Sequence, residues 1–192
     1  MKGALLFVVG LACGAVMMAI PKFIAHLHGA LHAMQGGGNQ TDATRVHTEE
    51  KFAFTANAPM SEVAPLFGAD KERVWAPGWS PQFVHPIPAT DVEGMVFTVK
   101  HDHLKAAWVN TVFDPEAGRM RYVYVIPDAL VTLITIQLTP QGDQTHVDVE
   151  YERTALSNDA NEHVRRMADG DRTSGPEWEK QVNEYLEKVR SR

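Results

Sequence analysis

The sequence is short of several things, and each shortage excludes something. It has one cysteine, Cys13, so no disulfide can close within the chain. It has no cluster of lysine and arginine. With 18 basic residues against 24 acidic ones the net charge is −6. Phosphate backbones are bound by clustered cations, so nucleic acid is not the expected partner. There is no G-x-S-x-G, no phosphate-cradling glycine loop and no H-E-x-x-H, which leaves nucleophilic hydrolases, nucleotide enzymes and zincins without an anchor. No internal repeat is present. The bulk composition, 44% hydrophobic and 22% charged, is ordinary for one globular domain with room for an appendage. The nine histidines are many for this length, so their positions matter.

Charge is missing altogether from residues 3–20, GALLFVVGLACGAVMMAI. As a helix this run spans about 27 Å, against about 30 Å of bilayer hydrocarbon. Lys2 precedes it and Pro21-Lys22 ends it. We expect residues 1–22 to be a transmembrane signal anchor. A cleaved signal peptide is the competing reading, although cleavage at Ala12-Cys13-Gly14 would leave a very short apolar core. A lipoprotein site at Cys13 would require Gly10 to stand where a larger aliphatic residue belongs. Gly10 and Gly14 form a G-x-x-x-G pair, a spacing that lets membrane helices approach. The basic start gives a slight positive-inside bias. It places the domain on the outer side of a bacterial inner membrane.

Residues 23–45 read as a juxtamembrane spacer. Phe23, Ile24, Leu27, Leu31 and Met34 recur at helical spacing, with His26, His28 and His32 between them. His28 and His32 have metal-ligand spacing, but no third ligand accompanies them, and a polar side to an interfacial helix explains them. Gln35 to Gln40, with three consecutive glycines, is a flexible linker.

The folded domain is expected over 46–192. Phe52 and Phe54 share one face of a first strand. Asn57-Ala58-Pro59 opens a short helix with Asn57 as cap and Val63, Leu66 and Phe67 on its apolar side. Met95, Phe97 and Val99 alternate with polar residues. Trp108 to Phe113 and Met120 to Ile126 flank an Asp114-Pro115-Glu116-Ala117-Gly118 hairpin. Leu130 to Leu138 is a further strand. Val147, Val149 and Tyr151 point inward while His146, Asp148, Glu150 and Glu152 point out, the mark of an antiparallel sheet with one wet face. Asn158 to Met167 is helical, Gly170 to Gly175 interrupts, and Ser174 with Glu177 has capping-box spacing. Trp178, Val182, Tyr185, Leu186 and Val189 then form one amphipathic stripe, the cover that such a sheet needs.

This order of elements, with Ala58-Pro59, ERVWAPGW at 72–79, His101, Trp108, Phe113-Asp114-Pro115, Tyr122, Trp178 and Leu186, resembles the START-like or Bet v 1-like (SRPBCC) superfamily. It is most similar to a bacterial branch with a W-A-P-G-W segment. The resemblance covers about three quarters of the chain. It implies an α+β helix-grip fold, a curved antiparallel sheet wrapped around a long C-terminal helix, often with a cavity between them. The partner it implies is a small hydrophobic or amphipathic ligand, such as a lipid, with no cofactor.

Two tryptophans on a Pro-Gly turn, Trp75 and Trp79, are then candidates to line or lid that cavity, or else to plug it. Indoles offer apolar area and one N–H. His101 and His103 share the inward face of Met95, Phe97 and Val99. His101 reads as a satisfied interior histidine or a ligand contact, and in a cyclase- or dehydratase-like alternative as acid/base. A zinc site would need His85 as third ligand to His101 and His103. The candidate ligand-binding set is Trp75, Trp79, His101, Trp108 and Tyr124. No catalytic or metal residue is assigned. A third reading is an interaction domain whose cavity is filled.

Overall fold

The computed structural model describes residues 44–101 and 104–192. The expected membrane anchor at 1–22, and the spacer up to residue 43, lie outside the described residues. No helix among those described is long and apolar enough to cross a membrane.

Alternating sequences become strands, and they assemble in a simple order. β1 (His47–Ala56) is followed by α1 (Met60–Val63), two tight helical turns (Ala64–Phe67 and Lys71–Val74) and β2 (Gln82–His85). β3 (Val96–His101), β4 (Leu104–Asp114), β5 (Arg119–Ile126), β6 (Leu130–Gln141) and β7 (Gln144–Ala155) come next, then α2 (Asn161–Arg172) and α3 (Gly175–Arg190). All seven strands lie in one antiparallel sheet, ordered β1-β7-β6-β5-β4-β3-β2. β2 to β7 form a meander of neighbours, and β1 crosses to the far side to pair with β7. The Asp114–Arg119 hairpin forms as its Pro and Gly imply, with Gly118 at φ 68. A register shift between Asn110 and Val112 bends β4, as a bulge does.

The inner face of the sheet carries Phe54, Phe97, Trp108, Tyr122, Tyr124, Ile134, Val147 and Tyr151, all buried. Trp178, Val182 and Leu186 of α3 are buried against it, Tyr185 is partly so, and Val189 is half exposed, so the stripe docks over its first three turns. Trp178 meets Phe52 edge-on, with centroids 5.3 Å apart. A β-carbon on Gly175 would come within 3.2 Å of the Ala53 carbonyl, so a glycine lets α3 start close to β1.

Two local readings are corrected. Asn57 does not cap α1. Pro59 takes the cap position, while the Asn57 backbone N–H donates to Asn183 Oδ1 (2.7 Å) and Asn57 Oδ1 accepts from Gln144 Nε2 (2.7 Å). The break between the last helices is also shorter than expected. α2 runs through Gly170 to Arg172, leaving only Thr173 and Ser174 before α3. Ser174 has helical backbone angles (φ −76, ψ −21) and makes no cap. Its hydroxyl donates back to the Gly170 carbonyl (2.9 Å).

Candidate functional site

The segment from Ala64 to Pro81 lies over the open side of the inner sheet face. Gly78, at φ 81, makes the turn that folds Trp75 and Trp79 inward. Both are buried. The indole of Trp75 donates to the Leu66 carbonyl (2.7 Å) and that of Trp79 to the Ala69 carbonyl (2.8 Å). The segment therefore satisfies its own two indole N–H groups. It is fastened outside itself by Asp91, whose carboxylate accepts from the backbone N–H of Asp70 (3.0 Å) and Lys71 (3.4 Å). The Tyr122 hydroxyl also donates to the Phe67 carbonyl. Burial raises the pKa of Asp91, and those two backbone N–H groups work against the rise.

The rings interlock. Trp75 is edge-on to Trp178 (5.4 Å, 62°), and Trp79 is edge-on to Trp108 (5.4 Å, 82°) and Phe97 (5.9 Å, 78°). Trp108 stacks on Phe97 (5.5 Å) and on Tyr124 (4.3 Å). The space between is a void of about 10 Å³, bounded by Phe67, Trp79, Phe97, Trp108, Tyr122 and Trp178, with two isoleucines and Glu72. That is room for roughly one water.

Polar groups inside this shell fall into two kinds. The first is fully bonded. Arg153, on β7, binds Asp171 of α2 through Nε (2.6 Å) and Nη2 (2.8 Å). Its Nη1 donates to Thr132 Oγ1 (2.9 Å) and to the Tyr124 hydroxyl. Its guanidinium lies 4.6 Å from the Tyr151 ring centroid. Burial would lower the pKa of Arg153, but Tyr124 and Asp171 outweigh it and hold the charge in place. Burial likewise pushes the Tyr124 phenol up. The second kind is unmet. Trp108 Nε1 and both amide atoms of Asn110 are buried and have no hydrogen-bond partner among the described residues. Trp108 and Asn110 are two apart on β4 and 2% and 0% exposed, so both sit on the inner face.

No family model matches the sequence, and no curated protein matches it. Solved structures do. A norcoclaurine synthase point mutant from Thalictrum flavum is 12% identical, with TM-score 0.57, covering 77% of this chain and 99% of its own. Protein MLL2253 from Mesorhizobium loti is 16% identical, with TM-score 0.55, covering 74% and 98%. Ara h 8.0201 is 11% identical, with TM-score 0.54, covering 74% and 99%. The fold is Bet v 1-like, of the SRPBCC type.

Within this Bet v 1-like fold, four of the five sequence-chosen residues converge. Trp79 and Trp108 touch the void, Trp75 braces the segment above it, and Tyr124 supports Trp108 from behind while its hydroxyl serves Arg153. His101 ends β3 by its backbone. Its side chain, and all of His103, lie outside the described residues. His85 ends β2 at the sheet edge.

Sequence reasoning passed over Glu72, Asn110, Asp91 and the Arg153–Asp171 pair. Two of these left a signal. Asn110 occupies the inward position two after Trp108. Arg153 continues the inward series Val147, Val149, Tyr151 with a charge. Asp91 left none, since its partners are backbone groups some twenty residues away. Among the described residues His47, Glu49 and Glu152 bring ligand atoms within 4.8 Å of one another on the β1–β7 surface. His47 and Glu49 are solvent-exposed, and the His47 ring is hydrogen-bonded to Thr154 Oγ1 (2.9 Å).

Proposed function

We propose that the domain binds a small hydrophobic or amphipathic molecule in the aromatic space between the sheet and α3, and that this conformation is its closed form. The observation that carries this reading is the Trp108 indole. A buried N–H without a partner costs about 1–3 kcal/mol, and native interiors seldom keep one. An acceptor on a bound molecule would satisfy it, with the neighbouring Asn110 amide as a second polar contact. The Ala64–Pro81 segment suits a lid, because its indole N–H groups are met internally and travel with it when it lifts. The norcoclaurine synthase point mutant with this fold was determined in complex with a transition state analogue. Sequestration or transfer, with no covalent step, is the activity we assign. Trp79 and Trp108 are its contacts, Trp75 braces the segment above them, and Tyr124 acts through Trp108. We further propose that residues 1–22 tether the domain to a membrane, on the strength of their uncharged run alone.

The void volume favours a second reading. About 10 Å³ is what a filled core leaves, and such a domain would act through its surface. Trp108→Phe separates the two, because it keeps a stacking ring and removes the N–H. Prodan, a neutral naphthalene dye with a carbonyl acceptor, is titrated against wild type and variant beside thermal melts. A ligand site predicts that wild type binds prodan and that Trp108→Phe, equally stable or more so, binds it several-fold more weakly. Absence of prodan binding by wild type, with a stabilised Trp108→Phe, rejects the ligand site in favour of the filled core.

A further inference from the structure

We infer that the molecule this site accepts carries a positive charge, as a protonated amine or quaternary ammonium on an apolar body. This rests on the ligand-site reading above and adds the chemical class. Six rings bound the void, three of them tryptophans, and the one carboxylic acid among its described lining residues is Glu72. No lysine, arginine or histidine lines it among the described residues. Ring faces attract cations through their quadrupole, most strongly those of tryptophan, and more so when water is excluded. A cation beside the Glu72 carboxyl would favour its ionised form, which adds a charge of the complementary sign. An anionic ligand would disfavour that form, and no lysine, arginine or histidine among the described lining residues would meet it. The buried cation beyond Tyr124, Arg153, is already held at two points by Asp171. Glu72 is 8% exposed and is engaged in the closed form. What matters is that its carboxyl is among the groups lining the space.

Glu72 also sits where it can follow the ligand. It lies in the same segment as Trp75 and Trp79, and its carbonyl accepts from the backbone N–H of Ala76 (2.9 Å) and of Trp75 (3.3 Å). Lifting the segment as one body keeps the carboxylate and Trp79 together as a ceiling. Phe97, Trp108 and Tyr122 remain as the floor on the sheet.

The test uses three probes of one size on the full-length chain, followed by tryptophan fluorescence. They are phenyltrimethylammonium, its neutral isostere tert-butylbenzene, and benzenesulfonate. The expected result is that the ammonium binds at least about tenfold more tightly than the isostere, with no detectable binding of the sulfonate. Glu72→Gln should abolish that preference while still binding the isostere. Trp79→Leu, which keeps apolar bulk without the ring, should weaken the ammonium more than the isostere. Glu150→Gln, a surface change at the Lys51 pair, should leave all three alone. If Glu72→Gln fails to fold, the wild-type probe series and Trp79→Leu still decide. Equal binding of isostere and ammonium, or preference for the sulfonate, overturns the charge inference and leaves the ligand site standing. Failure of all three probes while prodan binds overturns it as well. Failure of every probe, prodan included, overturns both.

Discussion

Arg153 and His163 show how much a single side chain carries here. Both members of the Arg153–Asp171 pair are buried, at 3% exposure each. Removing one partner strands the other charge away from water, so Asp171→Ala should cost about 3–5 kcal/mol. Arg172, next in sequence, makes its pair with Glu50 at the surface. Arg172→Ala should cost no more than about 1 kcal/mol. Urea melts of the two variants give the comparison, and equal losses would mean the buried pair is not what fastens α2. His163 reports on acid. Burial, then the positive charges of Arg166 and Arg153, lowers its pKa from 6.5 to about 4. The unfolded chain therefore takes up a proton first as the pH falls. This histidine's contribution to stability is full above about pH 6.5, declines between 6.5 and 4, and is gone below about 4. His163→Gln should lose stability less steeply than wild type across that window, and parallel slopes would contradict the assignment.

At the scale of elements, the Ala64–Pro81 segment depends on one small contact. A β-carbon on Gly68 would lie 2.3 Å from Asp91 Oδ2. Gly68→Ala must push that carboxylate off the N–H groups of Asp70 and Lys71. Amide exchange should then speed up over 68–79 while β5 to β7 keep their protection, and Asp91→Ala should do the same. An unchanged pattern would show that ring packing alone holds the segment. This contact also marks the limit of what is legible in the sequence. Strands were readable because alternation is local: Val147, Val149 and Tyr151 announce their own face. The C-terminal stripe was readable for the same reason. The end of α2 was not, because Gly170 breaks helices on average, whereas here the Ser174 and Thr173 hydroxyls bond its carbonyl and the turn continues. Asn57 looked like a cap, but it is occupied by Asn183 and Gln144, partners far along the chain.

For the whole molecule, the helix-grip architecture was what the family resemblance implied, carried by the order of patterned segments and the ERVWAPGW string, while the state of the interior was not given by either. Whether rings enclose a hollow or fill it turns on the difference between two large volumes, the space between sheet and α3 and the side chains that occupy it. The identities of Trp75, Trp79, Trp108 and Tyr124 pointed to a region that the structure brings together, without fixing that difference. Glu72 stood inside the ERVWAPGW string and drew no notice, because a carboxylate beside a turn ordinarily faces water. The proposed tether also belongs to this scale. Full-length protein should sediment with membranes and a chain lacking residues 1–40 should not, so equal solubility of the two forms would refute it. Protease access in spheroplasts should reach the domain if it lies outside the inner membrane.

The pairing of the first strand with the last has a consequence for how the protein is made. His47 and Thr154 are register partners 107 residues apart. While the chain emerges from a ribosome, β2 to β6 can zip together as each hairpin appears. β1 has no hydrogen-bonding neighbour until β7 is out. Until then a ten-residue strand bearing Phe52 and Phe54 waits unpaired, and the nascent chain is most open to wrong partners just before β7 emerges.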